Sequence, residues 1–196
     1  MSLTTGKLLA ASLAAAVYAL PAGIAAADND KDKDRLMLAV HLNGFREVPV
    51  VLTTGSGRFT AKMDAATGNI DYELSYSGLQ GKVTQSHIHI GPPQNTGGIA
   101  IWLCQTTVNP APATVPATVV PTCPESGSVT GTITAAHVVG PTAQLVTAGQ
   151  LDEVLAAIRA GLAYVNVHSG PNTTSVPNSP NVPGGEIRGQ LRSHGH

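Results

Sequence analysis

Four histidines stand where strand geometry can gather them. His87 and His89 lie in Ser86-His87-Ile88-His89-Ile90, His168 ends Tyr164-Val165-Asn166-Val167-His168, and His41 falls in the alternating segment 36–42. Side chains of an extended strand alternate between faces, so His87 and His89 point one way while Ile88 and Ile90 point the other. Neutral imidazole ligates zinc or copper, and H-x-H on a strand delivers two nitrogens to one side. The pattern therefore points to a divalent transition-metal site on His87, His89 and His168, with His41 as fourth ligand. H-x-H alone is a weak signal, and its weight here comes from a third histidine on an equally polar strand face.

The same period of two puts Tyr164, Asn166 and His168 on one face of their segment, and sets Glu186, Arg188 and Gln190 apart from Ile187 and Leu191. Asn166 or Glu186 would orient an imidazole through its second nitrogen. These residues equally support a metal-free alternative, in which His87, His89, Tyr164, Asn166, Glu186 and Arg188 form a buried polar network. Glu186 or a neighbouring carboxylate would then pair Arg188 and fix the strand register. Arg188 suits an anionic ligand too, but its place two residues from Glu186 favours a structural role. His137 sits on an expected loop without an evident partner, and His194 and His196 belong to a short tail where any metal binding would be adventitious. The chain shows no nucleophile elbow, no phosphate loop and no H-E-x-x-H, so the reading leans away from an enzyme.

The rest of the chain supplies the elements that must position these residues. Residues 1–27 carry Lys7, an apolar run, Pro21 and then Ala25-Ala26-Ala27, the layout of a secretory signal peptide; residues 28–35 are an expected disordered charged linker. The remaining residues suit one domain and contain no second long apolar segment, so no membrane span is expected after cleavage. Setting Lys7 aside leaves ten basic against twelve acidic residues, which with few aromatics argues against a nucleic-acid partner. Two cysteines in an exported chain predict a disulfide between Cys104 and Cys123, structural because C-x-x-C is absent; two thiolates on a metal are the alternative. Segments at 36–42, 57–63, 70–76, 83–90, 127–133, 162–168 and 186–191, with the apolar run beginning at Ile99 and ending at Cys104, read as strands, and the proline-rich stretch 105–126 as an extended surface loop. Leu151, Val154, Leu155 and Ile158 fall at helical spacing, with Gly161 placed to end the helix. Many short strands with one short helix predict an all-β antiparallel sandwich or barrel.

Asn43-Gly44-Phe45-Arg46-Glu47-Val48-Pro49-Val50, His87-Ile88-His89, Tyr164-Val165-Asn166-Val167-His168 and Gly185-Glu186-Ile187-Arg188-Gly189-Gln190 stand in the order and spacing of the CHRD domain family. The chain resembles that domain, which is repeated in chordin and occurs singly in exported proteins, over residues 36–192, with 193–196 left as a tail. The resemblance implies a Greek-key-like all-β fold of the immunoglobulin-like or superoxide-dismutase-like kind, secreted or periplasmic, with no established activity attached to the family. The first functional reading is an exported, non-enzymatic β module that binds copper or zinc. A metal-dependent redox enzyme of superoxide-dismutase-like type is the runner-up. An extracellular protein-interaction module is the third reading, and it rests on the chordin resemblance alone.

Overall fold

Apolar-polar alternation, and in one case a short apolar run, builds eight strands in the computed structural model, which describes residues 36–116, 118–171 and 182–192. They are β1 (Met37–Asn43), β2 (Ser56–Met63), β3 (Ile70–Ser77), β4 (Lys82–Ile90), β5 (Gly98–Cys104), β6 (Gly127–Ile133), β7 (Ala163–Gly170) and β8 (Val182–Leu191). The expected signal at 1–27, linker at 28–35 and tail at 193–196 lie outside the described residues.

All strands join one antiparallel sheet in the order β5-β4-β7-β8-β1-β2-β3-β6. β1 and β8 meet at a single pair, Asn43 opposite Arg188, so two four-stranded runs are joined there. The sheet curls into a nearly closed barrel, which is the barrel form of the all-β fold the sequence predicts. Side chains bridge the seam between the edge strands β5 and β6. The Tyr72 hydroxyl on β3 donates to the Leu103 carbonyl at 2.5 Å, and that of Tyr76 to Pro124 at 2.6 Å. The expected Cys104–Cys123 disulfide, with Cα atoms 5.0 Å apart, ties the end of β5 to the segment leading toward β6.

The inward faces form the main core, with Phe59, Leu74, Ile88, Ile101, Val165 and Ile187 fully or almost fully buried. Helix α1 (Leu151–Arg159) adds Val154, Leu155 and Ile158 to that core, and Gly161 takes the left-handed conformation that ends it, at φ 70°.

Three local expectations are corrected. β8 begins at Val182, earlier than the alternation beginning at 186 indicates. The proline-rich stretch after Cys104 is not a free surface excursion: Val115 and Val120 are buried against Trp102, forming a second apolar cluster outside the barrel. Prolines prevent a helix or central strand there but not packing. His137 has partners on both ring nitrogens, accepting from the Thr134 backbone N–H at 3.1 Å and donating to the Val119 carbonyl at 3.1 Å, so it clips this covering loop in place.

Candidate metal centre

Every residue of β7 is buried, although one face of a barrel strand normally meets water. Val165 and Val167 point into the main core, so Tyr164, Asn166 and His168 point outward beneath covering loops. Register places partners beside them. His87 on β4 lies between Trp102 on β5 and Asn166 on β7, and Asn166 lies next to Arg188 on β8. One row along the strands, His89 stands opposite Tyr164, which stands opposite Gln190. The outer face of β4, β7 and β8 is thus a largely buried polar surface, flanked by Trp102 and Ile99 on β5.

Three histidines converge on it. One ligand nitrogen from each of His87, His89 and His168 lies within 4.8 Å of the others. His87 Nδ1 is 3.2 Å from His168 Nε2, and the His87 ring sits edge-on to Trp102 with centroids 4.2 Å apart. His89 stacks on Tyr164, centroids 4.8 Å apart and planes 2° from parallel. Its Nδ1 lies 2.9 Å from the Gly97 carbonyl, which only accepts, so Nδ1 carries the proton and Nε2 the bare lone pair. Gly97 is required for this: a Cβ there would come within 1.7 Å of the Ile90 carbonyl oxygen.

Burial keeps the His87 and His89 rings neutral. Burial pushes His87 well below the usual histidine range, and neighbouring His168 and His89 add to the shift. Burial likewise brings His89 down to about 4, outweighing the Gly97 carbonyl that favours its charged form. His87 Nε2 and His89 Nε2 are buried without a hydrogen-bond partner. A buried polar atom left in that state costs roughly 1–3 kcal/mol.

The remaining predicted residues divide. Arg188 lies over the Tyr164 ring, its guanidinium carbon 3.4 Å from the centroid, and donates to the Pro92 carbonyl at 3.2 Å. Arg188, Tyr164 and His89 therefore form one stack along the sheet. Asn166 donates to the Gly184 carbonyl at 3.1 Å, its amide also facing Glu47 and His89. Tyr164, Asn166 and Arg188 thus lie beside the triad, without Glu186.

Two residues fall elsewhere. His41, expected as a fourth ligand, is exposed on β1, where its Nε2 accepts from Arg58 Nη1 at 3.3 Å. β8 intervenes between β7 and β1, and strand spacing of about 4.8 Å puts β1 about 10 Å from β7. Glu186 does not meet Arg188. It accepts from Thr53 Oγ1 at 2.5 Å, from the backbone N–H groups of Gln80 and Gly81, and from Ser169 Oγ, clasping three segments at one end of the barrel. A register shift between Val167 and Ser169, opposite this part of β8, breaks the simple alternation.

The carboxylate facing Arg188 is Glu47, in the segment after β1. It is 5 % exposed, and burial raises it to about 8 although Arg188 pulls the other way. The sequence places Glu47 only in an irregular edge segment; a single carboxylate set between Arg46 and the apolar run 48–52 is the available signal. Trp102 reads from sequence as part of an apolar run rather than as the wall of the histidine site.

No curated protein and no solved structure matches the chain. The CHRD domain family matches residues 38–191, from β1 to the last residue of β8, and so takes in every strand that carries the histidine triad and its neighbours. The chain belongs to the CHRD domain family.

Proposed function

We propose that this CHRD domain is an exported, non-enzymatic β module that holds one divalent transition-metal ion, zinc or copper, on His87, His89 and His168. The observation that carries the reading is the pair of orphaned, buried Nε2 atoms on His87 and His89 beside a third imidazole. Donor chemistry fits: three imidazole nitrogens without thiolate or carboxylate suit zinc or copper, and the Gly97 carbonyl on His89 Nδ1 is the outer partner that ligating histidines commonly have. Three protein ligands leave a fourth position for a non-protein donor. The triad is 0–6 % exposed, which favours a held ion over a redox centre that a substrate must reach. Export is supported by the disulfide, a feature of oxidising compartments.

The test is metal analysis of untagged protein, stripped with chelator and then titrated with zinc and with copper. Wild type should take up one ion per chain and His89→Ala none. The reading fails if wild type binds no stoichiometric ion, or if the variant binds as well.

A further inference from the structure

A separate cavity of about 900 Å³ opens beside the far end of the stack, walled by the segment after β1 and by β8. Its charge is one-sided. Arg46 and Arg192 are exposed at its rim and Arg188, 2 % exposed, lies at its floor, whereas Glu47 is the sole acid among its lining residues. Held neutral by burial at neutral pH, Glu47 does not cancel the three guanidinium charges. Its Oε1 is buried without a hydrogen-bond partner. The wall also leaves Phe45 69 % and Val50 56 % exposed, unusual for large apolar side chains so close together in a chain.

We infer that this cavity binds a small organic carboxylate with an apolar or aromatic body, its anion held among Arg46, Arg188 and Arg192 and its body against Phe45 and Val50. A volume near 900 Å³ lies within the range of small-molecule sites, and apolar walls with a few converging polar groups are their usual make-up. Arginine presents its donors in a fork that matches a carboxylate. The Tyr164 ring and the Pro92 carbonyl hold the Arg188 guanidinium in place, so the charge at the floor is positioned before a ligand arrives. The inference does not depend on the histidine triad holding a metal.

The probe is 2-naphthoate, followed by isothermal titration of the full chain, with 2-naphthylmethylammonium and 2-naphthalenemethanol as shape-matched cationic and neutral controls. Saturable binding of one naphthoate per chain, with the cation at least tenfold weaker, is expected. Arg46→Gln and Arg192→Gln change exposed residues, so both should keep the wild-type melting temperature; each should weaken naphthoate about fivefold. Phe45→Ser should weaken naphthoate while leaving the preference for anion over cation unchanged. Absence of saturable binding, equal binding of the cation, wild-type affinity in both arginine variants, or full displacement by equimolar inorganic phosphate would each overturn the inference.

Discussion

His87 Nδ1 and His168 Nε2, 81 residues apart in the chain, lie 3.2 Å from each other in the buried outer layer of the barrel. Two acceptor lone pairs at that distance repel, so one ring must present its N–H to the other and a single proton occupies the contact. The arrangement depends on β4 and β7 being antiparallel neighbours, and on covering loops that keep water from either nitrogen. Ligation through the bare His87 Nε2 leaves this proton in place, since the ring ligates as a neutral imidazole.

Stability of the metal-free protein should peak near pH 6.5. Below 6.5 the unfolded chain takes up protons that buried His87 and His89 refuse, so stability falls as pH drops toward 4, by up to roughly 1.4 kcal/mol per pH unit for each ring. Glu47 acts in the opposite sense: between 4.5 and about 8 the folded chain keeps a proton that the unfolded one loses, so its contribution declines as pH rises through that window. Two histidines outweigh one carboxyl below 6.5, and Glu47 acts alone above it. Urea melts from pH 4 to 9 measure this, and Glu47→Gln should flatten the alkaline limb. An alkaline limb as steep in Glu47→Gln as in wild type would remove Glu47 from the account.

Gly185→Ala should be strongly destabilising and Gly184→Ala nearly silent. Gly185 has φ 120°, and a Cβ there would lie 2.3 Å from Glu47 Oε1 and 2.5 Å from Asn166 Nδ2. The strained backbone alone costs on the order of 1–3 kcal/mol, before the displaced carboxyl is counted. A Cβ on Gly184 meets nothing within 4 Å. Chemical denaturation of the two variants decides it, and equal midpoints would contradict the packing described.

Replacing both Cys104 and Cys123 by serine should cost roughly 3 kcal/mol, the loop-closure value for a separation of 19 residues. Because the closed loop covers Trp102, the same variant should shift tryptophan emission to the red. The chain has one tryptophan, so the signal reports this cover directly. A destabilised variant with unchanged emission would show that the cover stays seated without the bridge.

The barrel is legible in the sequence because its cause is local. Period-two alternation marks most of the strands and a short apolar run marks β5, while Leu151, Val154, Leu155 and Ile158 mark the helix. The same alternation finds His87, His89 and His168, since antiparallel neighbours keep faces together. It misassigns His41 because alternation gives the face and not the strand order, and β8 separates β1 from β7. Glu186 escapes because the register shift near Ser169 redirects it toward Thr53. Glu47 feels the Arg188 charge across 141 positions of chain, through a segment without regular alternation, and no periodic signal could report that approach.

X-ray absorption at the zinc edge is the most direct check on the metal centre. It should be recorded on protein loaded with one equivalent, carrying His194→Ala and His196→Ala so that the tail cannot contribute. The account predicts three nitrogen scatterers at about 2.0–2.1 Å with the outer-shell pattern of imidazole rings. A first shell made of oxygen alone, or a spectrum indistinguishable from hydrated zinc, would contradict it.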